Sequence, residues 1–468
     1  MTELARVVGE GGVLGGGDRH VYRKDASTYA GIDPVAVVFP RSVEQVEALV
    51  GVARRFATPI VTRGAGTGLA GGAVVIDRSI VLVTTRMRSV LDIDTTNRIA
   101  WVEPGVLNLD LQHRLVEVGH HFAPDPSSQQ ACTLGGNVAN NSGGPHCLAS
   151  GVTTAHVAAL HVVGADGVRR ELGGTDPEPA GLDLRGLMVG SEGTLGIVTA
   201  IAVRLTPNPR RVATVLASFD DLDLASDAVS AVIAAGIVPA ALEMMDGPLA
   251  AVVEDFVHAG FPVHAAAVLL VELDGSPASV HDELHGVTTV LERCGATTVA
   301  TAADEAQRAG WWKGRKSAFG AIARIKPDYY LHDTVVPRTK LTLVLRQIRD
   351  AVAAEGLVVH NVFHAGDGNL HPLVLFDARE PGVMERVHRC GDAIVAASLA
   401  AGGVLSGEHG IGIEKRDHMG EQFDDVSLEV QEWARAALDP DALLNPSKVL
   451  PAARGCGDLA ELPDGVWI

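Results

Sequence analysis

The 468-residue sequence predicts an α+β protein in three consecutive parts: residues 1–209, residues 210–412 and a short helical tail, 413–468. Three observations lead there. The first part breaks into short apolar runs separated by loops crowded with Gly, Asn and Ser, and the second alternates strand and helix periodicities. Between them, Thr206-Pro207-Asn208-Pro209 reads as a boundary.

Composition narrows the function classes. A net charge of −19 argues against nucleic acid and anionic membrane surfaces, since phosphate contacts need clustered Lys and Arg. Small molecules are the expected partners. Cys132, Cys147, Cys294, Cys390 and Cys456 lie far apart with no C-x-x-C, which suits a reduced, cytosolic chain and supplies no iron–sulfur ligand set. No basic stretch with an apolar run opens the chain and no run of about eighteen apolar residues occurs, so the expectation is a protein neither exported nor integral to a membrane.

The first part starts strand, helix, strand. Ala36–Pro40 is a short strand, Ser42-Val43-Glu44-Gln45 a capping box, and Val43, Val46, Leu49, Val50 and Ala53 an amphipathic helix to about Phe56. After the strand 59–62 comes Arg63-Gly64-Ala65-Gly66-Thr67-Gly68-Leu69-Ala70-Gly71-Gly72. Gly66–Gly71 spells G-x-G-x-x-G, but the residues that follow, 72–76 and 79–83, read as strands rather than the helix a dinucleotide fingerprint must open. The loop is read instead as a nest of main-chain N–H groups suited to a pyrophosphate, with a tight turn as the plain alternative. Strands continue through 99–105, then a helix spans 107–118.

A second dense segment holds Pro124, Asp125, Ser128, Thr133, Gly135, Gly136, Asn137, Asn140, Ser142 and Gly143. Its composition predicts backbone and amides wrapped round a flat polar ligand, not a core. A third is Gly190-Ser191-Glu192-Gly193-Thr194-Leu195-Gly196-Ile197-Val198, leading into a strand to Leu205.

Beyond 210 the periodicities predict strands 212–219, 240–245, 266–273 and 331–336, with helices 221–235, 248–259, 278–294, 341–355 and 385–400. Trp311–Lys316 lies on a further helix, and the tail is helical over 428–438. Residues 357–363 and 373–376 read as a β-hairpin folded at Asp367-Gly368-Asn369. That turn brings His364 and His371 near one another, and two imidazoles plus Glu408 would give Zn or Mn three protein ligands with open positions left over.

These residues resemble the FAD-linked oxidases with a flavin domain of the p-cresol methylhydroxylase type, above all glycolate oxidase flavin subunits and D-lactate dehydrogenases. The resemblance rests on the order of Arg63–Gly68, Thr133–Asn137, Gly190–Gly196, Trp312–Lys316, Asn361–His371, Gly407–Gly410 and Asn445-Pro446. It implies a two-part FAD-binding domain, a cap with a mainly antiparallel sheet, substrate between cap and flavin, and a tail packing back on the flavin domain. FAD would be lined by Arg63, Gly64, Ala65, Gly66, Thr67, Gly68, Leu69, Pro124, Asp125, Ser128, Thr133, Gly135, Gly136, Asn137, Asn140, Ser142, Gly143, Gly190, Glu192, Gly193, Gly196, Ile197, Val198 and Asn445. Thr67 stands where members with covalent flavin carry His, so dissociable FAD is expected. Positions matching His364, His371 and Glu408 bind a divalent metal in several members. The position matching His409 is the catalytic base and that matching Arg315 meets the substrate carboxylate; the plain alternatives are a fourth metal ligand and a solvated helix charge. Ser317-Ala318-Phe319 lacks the extra polar group of hydroxyglutarate-specific relatives.

The expected reaction is oxidation of a small D-2-hydroxy acid, D-lactate or glycolate, to the 2-oxo acid. His409 would take the hydroxyl proton as general base, and FAD would supply the acceptor for the hydride from the α-carbon. Electrons go to a non-nicotinamide acceptor: a quinone, a cytochrome, an electron-transfer flavoprotein or an iron–sulfur subunit, so a cytoplasmic chain could sit at a membrane through a partner. The alternatives are a flavin subunit active only with partners, a D-2-hydroxyglutarate dehydrogenase, and a metal hydrolase, which would leave the Gly-rich segments without a purpose.

Overall fold

The computed structural model describes residues 1–176 and 181–451, which form two compact units. Cys456 lies outside the described residues. Among the described residues, the first unit comprises those of 1–143, 152–208 and 408–451, and the second comprises 144–151 and 209–407.

The first unit is built on two sheets. Ala36–Val38, Ile80–Val83 and Ile60–Arg63 run parallel, with Val13–Leu14 antiparallel at one edge. Helix Val43–Arg55 makes the crossover, started by Ser42, whose Oγ accepts the Gln45 N–H at 3.4 Å. Its buried face, Val46, Leu49, Val50 and Ala53, packs on Ile60 and Leu82. The chain returns here at its end: Ile60 donates to the Leu443 carbonyl and Asn445 to that of Ile60, at 2.7 and 2.8 Å. The second sheet is antiparallel, in the order Val90–Asp94, Ile99–Val102, Ile197–Arg204, Val157–Val163, Arg169–Gly173.

Two local expectations for this unit fail. Residues 72–76 are not a strand: the N–H groups of Ala73, Val74 and Val75 go to Asp25 Oδ2, the Gly71 carbonyl and the Arg23 carbonyl, so no ladder is left to join. The Gly- and Asn-rich second segment contains a helix, Leu134–Asn140, capped by Thr133 Oγ1 on the Gly136 N–H at 3.2 Å. Leu134 and Val138 enter the core with Leu111 and Phe122, so a segment read as having no core carries one apolar helical face.

Among the described residues, the second unit is built on an antiparallel sheet of seven strands, Thr298–Thr301, Arg211–Phe219, Ala267–Gly275, Ala241–Asp246, Val358–Phe363, Pro372–Phe376, Asp328–Leu331, with a small two-stranded sheet of Thr334–Val335 and Asn369–Leu370 beside it. This is the antiparallel cap sheet expected above. Along Ala241–Asp246, Leu242 and Met244 join a core with residues of helices Leu222–Ala234, Pro277–Arg293, Leu341–Ala354 and Val383–Ala400. Glu243 therefore points to the other face, where helix Glu305–Lys316 lies and its Arg315 meets it.

The single strand expected at 331–336 is two, Asp328–Leu331 and Thr334–Val335, paired in different sheets. Asp333 causes the break. Its buried carboxylate takes Asn369 Nδ2 at 2.5 Å, Ser406 Oγ at 2.6 Å and the Gly407 N–H at 3.0 Å, which turns the residue out of a ladder.

Candidate active site

In the first unit, the loop after Ile60–Arg63 keeps the main-chain N–H groups of Gly66, Thr67, Gly68 and Leu69 without a protein acceptor among the described residues. Gly66 has φ +75°, and a Cβ at Gly64 would lie 2.3 Å from Thr133 Oγ1. The first and second Gly-rich segments thus touch through atoms that only glycine allows. Unused N–H donors beside a side-chain-free backbone are what a pyrophosphate requires, so these residues fit FAD.

Other expected cofactor residues shape this cradle from behind. Asn445 is fully buried; its Nδ2 donates to the carbonyls of Gly72 and Glu192 at 2.8 and 2.7 Å. Lys448 Nζ donates to the Val74 carbonyl at 2.7 Å. Burial lowers Lys448 to about 8, against the nearby carboxylates of Asp77, Asp25 and Glu192. Glu192 Oε1 accepts the N–H groups of Ile411 and Gly412, and burial pushes its carboxyl up to about 7 despite them. Asn140 Nδ2 donates to the His409 carbonyl at 2.7 Å, and Glu408 Oε2 accepts the Gly143 N–H at 3.1 Å. His409 itself is half-buried.

In the second unit the hairpin forms as expected, with Val358↔Leu375 and Asn361↔Pro372 in register and a bridge at His364↔Asn369. The rings of His364 and His371 stand edge to face with centroids 5.1 Å apart. Glu408 is the residue that follows Gly407, the last of this unit. The donor set, two imidazoles and one carboxylate, fits Zn or Mn.

Behind each imidazole stands a carboxylate that the sequence reading missed. Glu243 Oε1 is 2.7 Å from His364 Nδ1, and Asp333 Oδ1 is 3.6 Å from His371 Nε2. Burial opposes charge on Glu243, but the flanking His364 and Arg315 bring its carboxyl down to about 2. Arg315, 1% exposed, places Nη2 2.5 Å from Glu243 Oε2. That contact is an ion pair without hydrogen-bond alignment, and Arg315 Nε is a buried donor with no acceptor among the described residues. A carboxylate inside the apolar strand Ala-Leu-Glu-Met-Met-Asp was the available signal for Glu243.

A further buried acid, Glu272, collects Thr214 Oγ1, Trp312 Nε1, Arg308 and His146 Nε2, and His146 stacks on Trp312 with centroids 5.7 Å apart. This cluster fastens the 144–151 segment into the second unit.

Residues 34–173 match the FAD binding domain model, and residues 208–449 match that of the FAD linked oxidases, C-terminal domain. The chain belongs to the FAD-linked oxidase family. It is 46% identical over 429 residues to the glycolate oxidase subunit GlcD of Escherichia coli (strain K12), covering 92% of this chain and 86% of that one. It is 38% identical to GlcD of Bacillus subtilis (strain 168), covering 92% of each. It is 32% identical to a probable mitochondrial D-lactate dehydrogenase of Danio rerio, over 96% of this chain and 91% of that one. A p-cresol methylhydroxylase structure with substrate bound superposes with a TM-score of 0.79 at 18% identity over 95% of each chain, a likeness of fold. This FAD-linked oxidase is thus an FAD-dependent oxidoreductase. Among the described residues no helix is long and apolar enough to cross a membrane.

Proposed function

We propose that this enzyme oxidises a small 2-hydroxy acid, glycolate or D-lactate, to the 2-oxo acid and passes the electrons to a non-nicotinamide acceptor. The observation that carries this reading is the pairing of His364 and His371, ring centroids 5.1 Å apart, with Arg315 linked to His364 through one carboxylate. A metal-binding trio and a guanidinium match the two ends of a hydroxy acid, its hydroxyl and its carboxylate. The relatives named as glycolate oxidase subunits and D-lactate dehydrogenases support the same substrate class.

A bound divalent ion would supply positive charge against the substrate hydroxyl, and bound FAD would supply the two-electron acceptor. The chain's own residues do the rest. His364, His371 and Glu408 hold the ion. His409, adjacent to Glu408 and held at its carbonyl by Asn140, takes the hydroxyl proton as general base. Arg315 meets the carboxylate with N–H groups that Glu243 does not take, Nε among them. Thr67 in the first loop carries no nucleophilic nitrogen, so FAD is held without a covalent link.

A second reading concerns partners. The relatives called glycolate oxidase subunits are by name parts of an assembly, so the acceptor of this chain would then be a partner's cofactor.

The test is anaerobic addition of glycolate, D-lactate, L-lactate and D-2-hydroxyglutarate to the purified flavoprotein, watching oxidised-flavin absorption. Bleaching by glycolate or D-lactate that His409→Ala abolishes is the expected result. No bleaching by any of the four, with flavin and metal both bound, overturns the reading.

A further inference from the structure

We propose that Glu243 is a positioning residue that presets both His364 as a metal ligand and Arg315 as a carboxylate-binding group. The inference rests on the functional reading above and adds to it a residue that touches neither substrate nor metal.

The position follows from the sheet. Ala241–Asp246 pairs antiparallel with Val358–Phe363 through Met244↔Phe363 and Met245↔Val362. Continuing that register by one residue sets Glu243 opposite His364, and the Gly366 N–H to Leu242 carbonyl bond at 2.9 Å holds the strands together past the ladder. Leu242 and Met244 are core residues, so Glu243 projects to the face that receives Arg315 from helix Glu305–Lys316. One oxygen then lies 2.7 Å from His364 Nδ1 and the other 2.5 Å from Arg315 Nη2.

Each contact has a chemical consequence. A carboxylate against Nδ1 places the imidazole proton there, which leaves the Nε2 lone pair for a metal ion and makes that nitrogen a better donor. The same carboxylate anchors the guanidinium by charge at its Nη2 end, 2.5 Å away, which leaves Nε on the side that Glu243 does not reach for a substrate carboxylate. With Glu243 1% exposed and Arg315 equally buried, water cannot substitute for either partner. One buried side chain thereby links the hydroxyl end of the site to its carboxylate end.

The test uses the full-length flavoprotein, stripped of metal and titrated with Mn²⁺ against a chelating indicator, with Glu243→Met/Arg315→Met and Arg315→Met beside the wild type. The double variant removes both buried charges at similar volume, which favours folding, and its melting temperature and flavin content verify it. We expect Mn²⁺ affinity to fall about 10- to 100-fold in the double variant, while Arg315→Met raises KM for glycolate and keeps Mn²⁺ affinity within about 3-fold. If the double variant does not fold, Glu243→Gln keeps the shape and is expected to lose about 10-fold in Mn²⁺ affinity. Unchanged Mn²⁺ affinity in a folded variant that lacks the carboxylate overturns the inference and leaves the functional reading intact. A flavin-loaded wild type that binds no Mn²⁺ or Zn²⁺ overturns the metal reading and this inference with it.

Discussion

Glu192 Oε1 accepts the main-chain N–H of Ile411 at 2.7 Å, two residues beyond His409. With the Gly412 N–H at 3.0 Å on the same oxygen and Asn140 on the His409 carbonyl, the backbone around the proposed base is held at both ends. Burial raises the Glu192 carboxyl from 4.5 to about 7. The folded state therefore keeps a proton that the unfolded state releases, so this group makes stability fall as pH rises from about 4.5 to about 7 and adds nothing further above that. The loss totals about 3 kcal/mol. Glu192→Gln should flatten that part of the profile. Thermal melts of the flavin-loaded protein between pH 4.5 and 8 check it, and identical slopes in the two proteins would count against a raised Glu192.

His409→Ala should lower kcat by about 10²- to 10⁴-fold, the usual value of a general base. Flavin content and Mn²⁺ affinity should stay as in the wild type, because the flavin loop and the ligand trio are other residues. Steady-state rates with an artificial acceptor, alongside flavin absorbance, separate these outcomes. A tenfold or greater loss of Mn²⁺ affinity would make His409 a fourth ligand instead.

Dialysis against a strong chelator should abolish activity while the protein stays yellow, and Mn²⁺ or Zn²⁺ should restore it. His364→Ala and His371→Ala should resist restoration at the same metal concentrations. Full activity of a protein shown by elemental analysis to be metal-free would remove the metal from the reaction.

Gly412→Ala should destabilise the protein by more than about 2 kcal/mol, since φ is +54° and the new Cβ would lie 1.9 Å from the Ala70 carbonyl oxygen. Gly236→Ala is the control: φ is +81° but the space is open, so the cost should be about 1 kcal/mol, that of the left-handed backbone alone. Denaturant unfolding of both variants makes the comparison, and equal costs would mean that the loop relaxes away from Ala70.

Sequence periodicity located the second unit well because its helices and strands bury one face each, as Val344, Leu345, Ile348 and Val352 do on Leu341–Ala354. The histidine pair was legible for a different reason: a short turn constrains what its two strands can bring together. Glu243 and Asp333 were not, since each acts on a residue far along the chain and only the folded sheet makes them neighbours. Helix Leu134–Asn140 was masked by its glycines, whose low propensity is offset by the Thr133 cap and by Leu134 and Val138 packing. The 72–76 stretch failed in the opposite sense, with apolar residues that are buried but bonded to loops.

The eight residues 144–151 bear on how the second unit could be transplanted. They leave the flavin-binding sequence to place His146 on Glu272 and Leu148 against the sheet core, then return. A graft of 209–407 alone onto another flavoprotein would arrive with Glu272 short of its imidazole and with an open seat beside Gly366, where Leu148 belongs. Chimeras meant to exchange substrate preference should carry both pieces, and recombination between relatives should favour junctions that keep them from the same parent.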